Sequence, residues 1–87
     1  MNKTWLVYLH ECSDTTYYCG VTNNLDKRIK VHNSGKGAKY TKNSLPVKLL
    51  INSKLMTKSE AYKLEYKVKK QRKRDKISFL KLWTFNE

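Results

Sequence analysis

Eighty-seven residues carry 19 Lys and Arg against 7 Asp and Glu, a formal net charge of +12, with 39% apolar residues. That length suits one domain and leaves no room for a cofactor-binding domain beside a catalytic one. The apolar share is too high for a disordered basic tail, and no apolar run approaches the roughly 20 residues that span a bilayer. Met1-Asn2-Lys3-Thr4-Trp5 leads into only a short apolar stretch, so it does not read as a secretory signal. The expectation is one soluble, intracellular, cytoplasmic domain over residues 1–87, with no membrane partner.

Trp5–Glu11 and Tyr17–Thr22 alternate as strands do, and Ser13-Asp14-Thr15-Thr16 between them is turn-forming, so the two runs predict a hairpin. If Cys12 opposes Tyr18, then Tyr8, His10, Cys12, Tyr18, Gly20 and Thr22 share one polar surface. Trp5, Val7, Leu9, Tyr17, Cys19 and Val21 then form the buried face. Asn24 is the natural N-cap of a helix running to about Asn33, with Asp26 complementing the dipole in its first turn. Arg28 and His32, four apart, are neighbours on that helix. Ser34-Gly35-Lys36-Gly37 ends it, and Val47–Ile51 reads as a third strand. Thr57-Lys58-Ser59-Glu60 has the form of a capping box, opening a helix with the apolar stripe Ala61, Leu64 and Val68. Ile77–Leu82 predicts a last short helix, with Trp83 and Phe85 packing its end. The fold class is therefore α+β, a small three-stranded antiparallel sheet flanked by helices in the order β-β-α-β-α-α.

The charge is uneven. Between Lys63 and Lys76 eight basic residues stand against Glu65 and Asp75, and a second stretch (Lys36, Lys39, Lys42, Lys48) holds no acid. Such a surplus favours a polyanion, because each neutralised phosphate releases condensed counterions. Cys12 and Cys19 are too few for a disulfide framework and, with His10 and His32, form no zinc pattern.

The motifs now combine. Leu6-Val7-Tyr8 is followed after nine residues by Tyr18-Cys19-Gly20, then Arg28, His32-Asn33, the string Ser34-Gly35-Lys36-Gly37-Ala38-Lys39-Tyr40-Thr41, and finally Glu65. Over roughly residues 5 to 80 this resembles the GIY-YIG endonuclease superfamily, specifically its small stand-alone single-domain branch. The resemblance implies hydrolysis of DNA phosphodiesters with one divalent ion, Mg²⁺ or Mn²⁺, and catalytic positions at Tyr8, Tyr18, Arg28, His32 and Glu65. Glu65 would bind the metal, since hard cations prefer oxygen ligands. One tyrosine would act as general base or orient the attacking water. With an ordinary pKa near 10, the first role needs cationic neighbours to lower it. Arg28 would offer its donors to the phosphoryl oxygens. His32 would assist proton transfer or hold the phosphate.

The asparagine that other branches carry beyond the metal glutamate is missing between Glu65 and Leu82, and Cys19 stands in the middle of the second tripeptide. Gly20 either relieves crowding in its strand or lets substrate approach the backbone. Lys36, Lys39, Tyr40, Lys42, Lys67, Lys69, Lys70, Arg72, Lys73 and Arg74 are the DNA-contacting candidates, with Tyr40 placed to stack on an exposed base. The DNA partner is duplex, single-stranded or branched. No targeting domain fits in this length, so specificity is low, directed to structure or single strands, or supplied by a protein partner. Two other readings compete: a non-catalytic nucleic-acid-binding module on the same fold, and a basic ribosome-associated protein.

Overall fold

In the computed structural model, which describes residues 3–33 and 46–84 apart from the His32 side chain, the chain runs β1 (Leu6–Glu11), β2 (Tyr17–Thr22), α1 (Leu25–Asn33), β3 (Lys48–Asn52), α2 (Lys58–Lys69) and α3 (Lys73–Lys81). The predicted α+β class and element order hold. The three strands form one antiparallel sheet with β1 in the middle, in the order β2-β1-β3.

The hairpin turn decides the register. Thr15 N–H donates to the Cys12 carbonyl (2.9 Å) and Cys12 N–H to the Thr16 carbonyl (2.8 Å), while Asp14 Oδ1 accepts from both the N–H and the hydroxyl of Thr16. Thr15 takes the left-handed conformation, φ 68°, that closes three-residue hairpin loops. Cys12 therefore opposes Thr16, and His10 rather than Cys12 opposes Tyr18; Tyr8 lies across from Gly20. The expected register was two residues too long. A slip of two keeps the alternation, so the sorting of side chains between faces survives it.

One face carries Val7, Leu9 and Cys19, packed against Ala61, Leu64 and Val68 of α2, Leu80 of α3 and Met56. This is the predicted core, and α2 opens on the predicted capping box: Glu60 N–H donates to Thr57 Oγ1 (3.2 Å) and Thr57 N–H to Glu60 Oε1 (2.9 Å). The opposite face was expected to be a polar surface. Tyr8, His10 and Cys12 are instead buried, so the sheet is covered on both sides.

Other boundaries shift. Trp5 joins the sheet only through an isolated bridge to Met56, and β3 begins one residue later than Val47. The last helix starts at Lys73, four residues before Ile77, because Asp75 in its first turn complements the dipole despite the run of cations around it. Lys76 Nζ reaches back to the Val68 and Lys69 carbonyls (3.2 and 3.1 Å), closing the C-terminal end of α2. Trp83 is partly exposed, with its carbonyl accepting from Lys54 N–H at 2.7 Å, and Phe85 lies outside the described residues.

Candidate active site

Alternation along β1 puts Tyr8 and His10 on one face, and the antiparallel pairing adds Gly20 and Tyr18 from β2. The absence of a side chain at Gly20 is what admits the Tyr8 ring: a Cβ built there would sit 2.5 Å from Tyr8 Oη and 2.7 Å from its Cζ. Of the two roles expected for Gly20, relief of crowding is found, and the neighbour relieved is the Tyr8 ring. Tyr8 is fully buried, its ring centroid 4.5 Å from that of His10 and 6.2 Å from that of Tyr18. His10, placed by alternation on the same face as Tyr8 and Tyr18 but given no role because it carries no motif, is their neighbour in the structure.

α1 delivers Arg28 to this cluster. Asn24 Oδ1 caps it by accepting from Lys27 N–H (3.1 Å), Thr22 Oγ1 at the end of β2 accepts from Asn24 N–H (3.1 Å), and Asn33 Oδ1 accepts from Val47 N–H (2.7 Å) just before β3, so both helix ends are tied to the strands beside them. Arg28 Nε donates to Tyr8 Oη at 3.3 Å. That bond, with help from Tyr18, raises the Arg28 pKa further against the opposing effect of desolvation. Burial dominates at Tyr8, pushing its phenol up to about 12 even though the bond to Arg28 works the other way. The cationic neighbour that a tyrosine base would need is present in Arg28, but its effect on Tyr8 is outweighed by burial. It is a neutral phenol at neutral pH, hydrogen-bonded to the Arg28 guanidinium and suited to orienting it.

Glu65 comes from a different direction. On α2 its carboxylate lies 3.4 Å from Lys69 Nζ, with 19% of its side chain exposed. It also acts on Cys19 of β2, whose thiol is pushed up to about 12 by burial first and by Glu65 second, against the pull of Lys69 and Lys76. β2 is an edge strand of the sheet; Tyr18 lies on its Tyr8 face, and Glu65 acts on the Cys19 side of it. The structure thus joins Tyr8 of β1, Tyr18 of β2 and Arg28 of α1 directly, and sets Glu65 of α2 near Cys19 on the other side of β2, with Lys69 as its own ion-pair partner. The His32 side chain, Lys36, Lys39, Tyr40 and Lys42 lie outside the described residues.

The remaining basic candidates divide. Lys70 sits over the Tyr66 ring (4.5 Å), and Lys73 sits over Tyr17 (4.8 Å) while its Nζ donates to the Thr15 carbonyl. Lys67 turns away to a cavity of about 250 Å³ on the far side of α2, lined also by Lys3, Lys54, Lys63, Glu60 and Trp83. Arg72 and Arg74 are exposed at the start of α3.

The GIY-YIG catalytic domain model matches residues 4–78. This chain belongs to the GIY-YIG family. Its relatives include the UPF0213 protein YsiG of Lactococcus lactis subsp. lactis, 48% identical over 82 residues (93% of this chain, 78% of that one). The UPF0213 protein YazA of Bacillus subtilis is 45% identical over 73 residues, covering 84% and 74% of the two chains. Among solved structures, the solution NMR structure of EF2693 from E. faecalis superposes with a TM-score of 0.64 at 35% identity, covering 99% of this chain and 92% of that one. That of the UPF0213 protein BH0048 from Bacillus halodurans gives 0.55 at 41% identity, covering 92% and 85%. The GIY-YIG fold is a nuclease-type catalytic fold, and the tyrosines, arginine and glutamate of the motif occupy its matched span. Among the described residues, no helix is long and apolar enough to cross a membrane.

Proposed function

We propose that this GIY-YIG chain is a divalent-metal-dependent DNA endonuclease of low sequence specificity. The observation that carries the reading is the bond from Arg28 Nε to Tyr8 Oη, with the Tyr18 ring alongside. A guanidinium has five donors, and a phenol at Nε occupies one of them while fixing the plane. The donors that Tyr8 and Tyr18 leave over can meet phosphoryl oxygens as negative charge builds on them. Tyr8, a buried neutral phenol, positions Arg28. Tyr18, only partly buried, is the tyrosine placed to orient the attacking water. His32 would assist proton transfer or hold the phosphate.

The donor set fits a hard cation. Glu65 offers carboxylate oxygens at a partly exposed position, and among the described residues no three His, Cys, Asp or Glu side chains gather as a ligand cluster. A single carboxylate suits Mg²⁺ or Mn²⁺, which keep most of their waters and complete their shell with substrate phosphate. When bound there, the ion would neutralise phosphate charge and acidify water. The Lys69 ion pair is no obstacle, since an i,i+4 pair on a helix surface is worth only about 0.3–0.5 kcal/mol.

That same pair supports the second reading, a non-catalytic basic module in which Glu65 only steadies its helix. The experiment that separates the two is incubation with plasmid, single-stranded, flap and junction DNA, with and without Mg²⁺ or Mn²⁺. Metal-dependent cleavage lost in both Glu65→Ala and Arg28→Ala, with unchanged circular dichroism, is the expected result. Equal cutting by both variants and the parent would overturn the assignment of these residues. Binding indifferent to millimolar Mg²⁺ beyond screening, with no cleavage, would establish the module instead. If about five cations meet duplex phosphates, log K against log salt has a slope of about −4.5.

A further inference from the structure

α2 exposes two tyrosines, Tyr62 and Tyr66, that neither the core nor the candidate active site explains. At 100° per residue, Lys58, Tyr62, Glu65, Tyr66 and Lys69 lie on one half of the helix, away from the buried stripe Ala61, Leu64 and Val68. Tyr62 and Tyr66 stand 48% and 62% exposed, although the capping box and the buried stripe already hold the helix. The ring centroids of Trp5 and Tyr62 are 6.3 Å apart, and Tyr66 follows one turn later, about 6 Å further along the axis. The terminal rings each carry a cation: Lys58 Nζ lies 5.3 Å from the Trp5 ring and Lys70 Nζ 4.5 Å from that of Tyr66.

We propose that Trp5, Tyr62 and Tyr66 form a ladder on which successive bases of single-stranded DNA lie, with Lys58 and Lys70 meeting the backbone and Glu65 beside the last rung. Ring spacing selects the ligand. Stacked bases in a duplex rise by about 3.4 Å and are closed to a ring from the side, whereas the Trp5 and Tyr62 rings, 6.3 Å apart, match bases that have been drawn out of their stack. The 39° tilt between Trp5 and Tyr62 likewise suits bases received one by one rather than a continuous stack. Aromatic faces accept any base, and a lysine beside each end of the row adds phosphate neutralisation that is equally blind to sequence. The ladder deepens the nuclease reading, on which it rests for Glu65 as the point where the strand is cut, and it gives that site single strands as its substrate class.

The test is binding in EDTA, where no cutting occurs, of a labelled 12-residue oligo(dT) and of a blunt DNA hairpin to the full chain and to Tyr62→Ser/Tyr66→Ser. Both side chains are largely exposed, so the variant should fold as the parent does, which circular dichroism checks. Its Kd for oligo(dT) should rise tenfold or more, its Kd for the hairpin should stay within about twofold, and its salt slope should be unchanged because no charge is removed. Tyr62→Phe/Tyr66→Phe, which keeps the ring faces, should bind oligo(dT) like the parent. Equal losses on both ligands, no loss on oligo(dT), or a Phe variant as weak as the Ser variant would overturn the ladder. The two readings fail separately: oligo(dT) held by these rings without metal-dependent cutting sinks the nuclease and keeps the ladder. Cutting with unaltered oligo(dT) affinity after ring removal does the reverse.

Discussion

The two faces of the sheet are buried to a similar depth and are built for different purposes. On one, Val7, Leu9 and Cys19 meet the apolar sides of α2 and α3. On the other, Tyr8 and His10 are as fully enclosed as Leu9, yet what they meet is a ring stack and a guanidinium. The lesson is that burial alone does not separate scaffold from site. What separates them is whether the buried groups can satisfy one another without polar chemistry. The first face can, and the second spends its buried surface on aiming Arg28.

The contrast breaks most sharply with a pair of truncations. Arg28→Ala should lower metal-supported cleavage by about 10²–10³-fold, the usual cost of a lost transition-state donor, and leave the urea midpoint near the parent's. Leu9→Ala should do the opposite, destabilising by about 2–5 kcal/mol while the folded fraction keeps its specific activity. If both variants lose stability and activity together, the two faces are not functionally distinct.

Gly20→Ala sharpens the picture at a single contact. The added methyl meets the enclosed Tyr8 ring, so the expected cost is about 1–3 kcal/mol by equilibrium unfolding, with a drop in activity as Arg28 loses its anchor. In a Tyr8→Ala background the same change should cost much less, a coupling that a double-mutant cycle measures.

The gentlest probe is alkali. Unfolded, a tyrosine releases its proton near pH 10, while folded Tyr8 holds it to about 12. Between these values the unfolded chain binds fewer protons, so stability present below pH 10 drains away as pH rises toward 12. Cys19, raised to about 12 from the opposite face, adds a contribution of the same sign that begins lower, near its ordinary thiol range. Urea midpoints measured from pH 8 to 12 should therefore fall, and less so in Tyr8→Phe. A flat profile would mean that Tyr8 is not enclosed as described.

Much of this was legible in the chain because it depends on local chemistry. Asn24 and Thr57-Lys58-Ser59-Glu60 announce helix starts through the bonds their side chains make to nearby N–H groups, and both are found doing so. Alternation sorted Val7, Leu9 and Cys19 onto the core face even though the assumed register was two residues out. Less accessible was anything decided by what lies across space. The burial of Tyr8 and His10 follows from cover on both sides of a three-stranded sheet, and the direction of the Tyr8 pKa shift follows from that burial. The start of α3 at Lys73 was hidden because the run of cations before Ile77 carries no apolar periodicity. The Trp5–Tyr62 contact joins residues 57 positions apart and leaves no trace in either segment alone.

By itself, then, the order of residues determined the elements, their sequence along the fold, the family and the set of side chains that belong to its motif, because periodicity, capping and spacing act within a few residues. Only the tertiary structure decided that Gly20 houses Tyr8, that Tyr8 holds Arg28 as a neutral phenol, and that Glu65 stands across an edge strand from them. Those outcomes depend on which surfaces exclude water and which atoms meet once the chain has closed on itself, and neither quantity exists before folding.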